Sequence, residues 1–278
     1  MGIDAQLASQ LIAARGLVAG KRDCVMLGRQ KFHVKGKFRR HVRRELRRAG
    51  LDPDISAYEQ ADGFAETFLR KIGYPAPQSL DASPYENCDL THDLNEPLPD
   101  GLRGRFDVII DGGTLEHVFN TPQALDNVFH MLRPGGIFIS INGITGWAGH
   151  GFYQFSPELV WRYWKDARRC ILHRCAAVPL DVNADKPRPA PDTGQAGRRF
   201  RGAGMQGRWY LFYIVERGPD AVSAERIRNL SQGDYSVRWE AGGAAATQAA
   251  PATQATPATQ TAPATQTAPA TPAAAAGG

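Results

Sequence analysis

The chain has 278 residues, 42% apolar and 22% charged, with 33 Lys and Arg against 28 Asp and Glu for a net charge of +5. That balance suits a globular protein with its own core and argues against collagen-like or highly charged disordered classes; no apolar run approaches the roughly 20 residues that span a bilayer. Four scattered cysteines, Cys24, Cys88, Cys170 and Cys175, form no C-x-x-C pair, so neither a zinc site nor a disulfide framework is expected and a reducing cytoplasm is the default location.

The first stretch, residues 1–21, reads as a helical extension; Asp4 and Arg15 break the pattern of a secretory signal, and Gln6 stands where a myristoylation motif needs Ser or Thr. "CVMLG" follows as a short buried strand ending at Gly28 and turning into the start of a helix. Over residues 34–48 the spacing of Val34, Phe38, Val42 and Leu46 predicts an amphipathic helix, with Arg39, Arg40, Arg43 and Arg44 among the arginines on its other faces. A second helix is predicted over Gly63 to Ile72. "QSLDAS" is then a brief strand with Asp81 at its exit, and "CDLTHDLNEPLP" another with Asp93 beyond its end.

"RFDVIIDGG" is the clearest buried strand, near-continuously apolar as expected where both faces of a sheet are covered. Thr121 is expected to cap the next helix with Pro122 in its first turn, and Ala124, Leu125, Val128, Phe129 and Leu132 form its apolar stripe before "RPGG" ends it. "IFISING" is the next strand. Ser156 and Pro157 should open a helix through Trp164, and "CILHRCAAVPL" and "GRWYLFYIVER" supply two late strands. Repeated strand-helix units closed by two successive strands predict an α/β fold: a doubly wound, mostly parallel Rossmann-like sheet of about seven strands with a reversed strand near one edge. This domain spans residues 22–240. Residues 241–278 carry no charge, repeat a Pro-containing hexamer and read as a disordered tail.

In such a sheet ligands sit at the carboxyl ends of the strands. The residues found there, with "LEHV" and "LRPGG", resemble the class I S-adenosylmethionine-dependent methyltransferases, most closely over "FDVIIDGGTLEHVFNTPQALDNVFHMLRPGGIFISI". The resemblance implies S-adenosylmethionine as cofactor. It implies that Gly28 is the close-approach glycine, that Asp81 binds the ribose hydroxyls, and that Asp93 and Leu94 border the adenine. Asp111, Gly112 and Gly113 would then lie beneath the methionine moiety. One departure stands out: a single glycine follows the first strand, succeeded by "RQKFHV", so Arg29 or Gln30 is expected to replace backbone donors at the methionyl carboxylate.

For the chemistry, His150 is the first choice as general base, because imidazole alone titrates near neutrality unperturbed; Tyr153 and Gln154 are candidates to orient an acceptor. His117 is a further catalytic candidate, set against a structural role beneath the cofactor. Glu116 and His117 lack a second carboxylate at ligand spacing, so no metal is expected. Trp161 and Trp164 read as core, whereas Trp147, Phe152 and Tyr153 read as a pocket wall or lid that suits a flat aromatic or sugar acceptor. The expected activity is therefore methyl transfer to an oxygen or nitrogen of a small-molecule or sugar-like acceptor, with no membrane partner. The alternative is a catalytically silent binding module, with nucleic acid docking on Arg39, Arg40, Arg43 and Arg44. A nicotinamide dinucleotide enzyme is disfavoured, since "LGRQKF" lacks G-x-G-x-x-G.

Overall fold

The computed structural model describes residues 2–196, 199–227 and 230–239. The expected tail, residues 241–278, lies outside the described residues. In chain order the elements begin with β1 (Gly2–Ile3), α1 (Ala5–Ala14), β2 (Cys24–Leu27), β3 (Lys31–Phe32) and α2 (Arg39–Arg48). They continue with α3 (Glu66–Lys71), β4 (Pro77–Asp81), β5 (Leu90–Thr91), β6 (Phe106–Asp111), α4 (Thr121–Met131) and β7 (Leu132–Thr145). The last are α5 (Pro157–Leu159), β8 (Ile171–Pro179), β9 (Arg188–Pro189), α6 (Thr193–Ala196) and β10 (Trp209–Glu216). No described helix is long and apolar enough to cross a membrane.

Eight strands form the main sheet in the order β5-β4-β2-β6-β7-β10-β8-β9. The first five run parallel to one another, while β10 lies antiparallel to both β7 and β8. The sheet is thus mostly parallel, as the sequence predicts, with its long reversed strand set between its neighbours. From β2 the chain builds outward through β4 and β5, then returns to β6 on the other side of β2. The strand order therefore reverses between β2 and β6, where Leu27 lies opposite Asp111. That is the place where an open α/β sheet forms its crevice.

The period-2 pleat sorts the core into two layers. Met26, Val108, Ile110, Ile137 and Ile139 face α1 and α2, and Val25, Leu27, Ile109, Phe138 and Leu211 face α4 and the segment holding Trp164. Helix α1, expected as an extension, sits within the first layer: Leu7 and Leu11 are fully buried, and Asp4 caps it by accepting from the Leu7 N–H at 2.8 Å. Helix α2 buries Val42 and Leu46 and turns its arginines outward.

Four boundaries depart from expectation. The chain does not pass from β2 into a helix. It first makes β3, which pairs in parallel with β1, because Phe32 finds a stacking partner in Phe68 at 4.7 Å. Only after a 3₁₀ turn over Gly36–Phe38 does α2 begin. Helix α3 starts at Glu66 rather than Gly63, since Gly63 occupies a left-handed turn at φ 76°. Asn120, not Thr121, is the N-cap of α4. Finally, Ser156 caps α5 as expected, but the helix continues over Val160–Ala167 as a π-helix. Trp164 is fully buried in that π turn, and Trp161 is half-buried with its indole N–H donating to the Ala190 carbonyl.

A buried polar knot ties this π segment to α4. Arg168, fully buried, donates to Asp126 Oδ1 at 2.6 Å and to the Tyr163 hydroxyl at 3.2 Å, while its plane lies over Phe129. The Tyr163 hydroxyl donates in turn to Asp126.

Candidate functional site

A cavity of about 270 Å³ opens at the carboxyl ends of β2 and β4, near the low end of the roughly 300–1,000 Å³ usual for small-molecule sites. Gly28, Arg29, Asp81, Asp93, Leu94 and His117 all line it, together with Gln30, His92, Thr114 and Val118. Five of the positions singled out from the sequence for cofactor binding, and the catalytic candidate His117, thus line one space. Asp111, Gly112 and Gly113 do not border the cavity, nor do His150 and Tyr153.

Gly28 is required where it stands. Its φ of 68° lies in the left-handed region, and an added Cβ would meet Thr114 Oγ1 at 3.0 Å. Asp81 is half-buried, and among the described residues its carboxylate accepts no hydrogen bond, while its backbone carbonyl accepts from the His92 N–H. It is free to accept from a ligand's hydroxyls. Asp93 spends its carboxylate on the backbone and side chain of Asn95, which holds it below the usual carboxylate range. Its contribution to the cavity is the loop it rigidifies. Leu94 and Val118 provide apolar wall.

The turn after β2 explains what became of the missing glycines. Arg29 faces Asp62 and Glu66, ion-paired to both, donates to the Glu86 carbonyl and stacks over Phe64 at 3.9 Å. Gln30 turns inward. It is 1% exposed, and its amide nitrogen donates to the Leu27 carbonyl at 2.6 Å and to Thr114 Oγ1 at 3.3 Å. Its Oε1 has no partner among the described residues and lies 2.7 Å from where a Cβ on Gly112 would stand. Gln30 thus fills the space in front of Gly112, which is why Asp111 to Gly113 are set back from the cavity.

Behind it Asp111 is a buried hub. Its carboxylate accepts from the Thr114 N–H at 2.7 Å, the Ser140 hydroxyl at 2.8 Å and the Asn142 amide at 3.0 Å. Burial raises its pKa against the lowering effect of those donors. This hub fixes the turn that carries Leu115, Glu116 and His117 out of β6.

Glu116 is 2% exposed; burial first, and the Asp111 carboxylate second, push its pKa up to about 8. Its Oε1 lies 3.4 Å from His150 Nε2, and the His150 ring meets His117 edge-on with centroids 4.9 Å apart. Burial and His150 together hold His117 below the usual imidazole range. His150 is placed by its N–H on the Trp147 carbonyl and by the Trp147 ring. Trp147 itself is buried, its indole N–H on the Trp209 carbonyl, and Gln154 accepts from its backbone N–H. Tyr153 donates its hydroxyl to the Phe119 carbonyl at 2.8 Å. Phe119 and Phe152 pack edge to face at 5.6 Å, 68% and 64% exposed.

The inward turn of Gln30, the Ser140–Asn142 support of Asp111 and the meeting of Glu116 with His150 were not read from the sequence. Asn142 lies in the post-strand stretch singled out there, but the pairing of Glu116 with His150 crosses 34 residues and leaves no local signal.

The family model described as a methyltransferase domain matches residues 36–140, a span beginning after the altered turn and ending inside β7. No curated protein matches the chain. Among solved structures it is similar to the Burkholderia thailandensis 1,6-didemethyltoxoflavin-N1-methyltransferase, solved with S-adenosylhomocysteine, at 14% identity and TM-score 0.40 over 77% of this chain and 78% of that one. It is similar also to a TehB-like S-adenosylmethionine-dependent methyltransferase from Corynebacterium glutamicum (15%, 0.38, 75% and 85%). A third is an S-adenosylmethionine-dependent methyltransferase from Aquifex aeolicus (11%, 0.40, 75% and 89%). Residues 36–140 thus match a methyltransferase-domain model, within a mostly parallel sheet that has one long reversed strand.

Proposed function

We propose that this protein transfers a methyl group from S-adenosylmethionine to an oxygen or nitrogen of a small-molecule or sugar-like acceptor. The observation that carries the reading is the convergence of Gly28, the unengaged Asp81 carboxylate, Leu94 and Val118 on one cavity whose lining also includes His117, beside Glu116 and His150.

The residues fit the adenosyl portion of the cofactor. Asp81 would accept from both ribose hydroxyls, Gly28 leaves room for close approach, and Leu94 with Val118 would flank the adenine. Asp93 keeps the adenine-side loop in place. The cofactor supplies a methyl group on a sulfonium carbon, so the protein's task is to hold two reactants in line and manage the acceptor's proton. Gln30, rather than Arg29, is the side chain positioned to meet the methionyl end, because Arg29 is committed to Asp62 and Glu66. Asp111 with Gly112 and Gly113 supports that end from behind. His117 and His150 mark the acceptor side, with His150 as proton acceptor; Tyr153 holds the loop, and the exposed Phe119–Phe152 pair gives an aromatic or sugar ring an apolar face.

Heat unfolding with S-adenosylhomocysteine tests the reading. At a hundredfold excess over its dissociation constant the ligand should add about 2.7 kcal/mol, and Asp81→Ala should remove the shift while leaving the ligand-free transition in place. A wild-type protein that does not respond would favour the second reading, a silent binding module, for which Gln30 in the crevice is the specific observation. In that case binding of DNA through Arg39, Arg40, Arg43 and Arg44, all on α2 and all but Arg39 exposed, should weaken steeply with salt and be lost when the four become Ala.

A further inference from the structure

We infer that Glu116, His117 and His150 form a binding site for a divalent transition cation of the Zn²⁺ type. The ligand atoms of the three side chains all lie within 4.8 Å of one another. Two donors each about 2.1 Å from a tetrahedral ion stand about 3.4 Å apart, and Glu116 Oε1 and His150 Nε2 are separated by 3.4 Å. Two imidazoles and one carboxylate are the donor set of open zinc sites, which keep a further position for water or substrate. Mixed nitrogen and oxygen donors favour a borderline transition ion over Mg²⁺ or Ca²⁺, which prefer oxygen alone.

A second observation points the same way. Glu116 is 98% removed from solvent by its 2% exposure, yet its Oε2 has no hydrogen-bond partner among the described residues. A buried carboxylate oxygen without a donor is costly, and a cation shared with the imidazoles removes that cost. The arrangement is also supported from behind. Asp111 fixes the turn bearing Glu116 and His117 through the Thr114 N–H, and the Glu116 carbonyl receives the Phe152 N–H at 2.7 Å, tying in the loop that carries His150. His117 is exposed and borders the cavity, so the ligand group opens toward it.

This proposal departs from the expectation of no metal, which rested on the absence of a second carboxylate at local spacing; the third ligand would come instead from the loop after β7. It also reassigns His150 from proton acceptor to ligand. The ion's open position, beside the cavity, would receive an acceptor hydroxyl or carbonyl oxygen, and this part rests on the methyl-transfer reading above. Binding of the ion does not.

Untagged full-length protein, stripped with a chelator and dialysed, is titrated with Zn²⁺ by calorimetry and with Co²⁺ by visible absorption. One ion per chain is expected, with Co²⁺ d–d bands of a low-coordinate nitrogen and oxygen site. His117→Ala and Glu116→Gln should each weaken Zn²⁺ by about 10- to 100-fold or more, and His117→Ala, at an exposed position, should keep the wild-type melting curve. Absence of stoichiometric Zn²⁺ binding, or unchanged affinity in His117→Ala and in the His117→Ala/His150→Ala double variant, overturns the site. The S-adenosylhomocysteine shift is read on the same samples: a shift without Zn²⁺ binding sinks the cation site alone, and Zn²⁺ binding without a shift sinks the cofactor reading alone.

Discussion

Gln30 decides how much of the crevice remains. In the turn after β2 a glycine would leave backbone N–H groups facing the ligand; here a side chain reaches back to the Leu27 carbonyl and covers Gly112. The two residues are therefore coupled. Gly112→Ala would place a Cβ 2.7 Å from Gln30 Oε1 and 3.3 Å from Leu7 Cδ2. The expected cost is about 1–3 kcal/mol, read as a lower urea midpoint, and much of it should return in the Gln30→Ala/Gly112→Ala double variant. If Gly112→Ala unfolds at the wild-type midpoint, Gln30 does not occupy that space. The sequence flags position 30 as unusual, but whether a glutamine points out to a ligand or in to the sheet is set by which carbonyl it finds.

Among the elements, the π segment and α4 show a different economy. Arg168 is buried without exposure, and its charge is balanced by Asp126 and spread over the Tyr163 hydroxyl and the Val222 and Ala224 carbonyls. Removing one partner strands the other. Asp126→Ala should cost about 3–5 kcal/mol in chemical denaturation, whereas Asp126→Ala combined with Arg168→Met should cost less than the sum of the two single changes. Strict additivity would show that the pair is uncoupled. The periodicity of Leu125, Val128 and Phe129 is visible in the sequence, and so is the capped start at Ser156. The π geometry and the Asp126–Arg168 pairing are not, because a charged residue inside an amphipathic pattern reads as solvent-facing until its partner, 42 residues away, is placed.

At the scale of the molecule, α1 closes the face of the sheet that β2, β6 and β7 would otherwise expose. Each fully buried leucine there contributes about 1.5–3 kcal/mol, and Leu7→Ala should cost about 2–5 kcal/mol by thermal or urea unfolding. Deletion of residues 1–18 should abolish cooperative melting by circular dichroism; a truncated chain that melts like the whole would mean that the face is stable uncovered. The hydroxyl of Tyr210, on β10, donates to Asp4 at 2.9 Å, so the N-cap of α1 and β10 share an anchor across 206 residues.

From the sequence alone came the α/β class, the order of the strands along the chain, the placing of Asp81 and Gly28 just where strands end, and the "LEHV" and "LRPGG" segments. All of these rest on local signals: apolar runs, capping residues, turn glycines. Tertiary structure alone decided that β10 inserts between β7 and β8, that β3 pairs with β1, that Gln30 rather than Arg29 turns into the crevice, and that His150 returns to Glu116. Each of those outcomes joins residues distant in the chain, and the free energy that selects them comes from desolvation and pairing that no single segment carries.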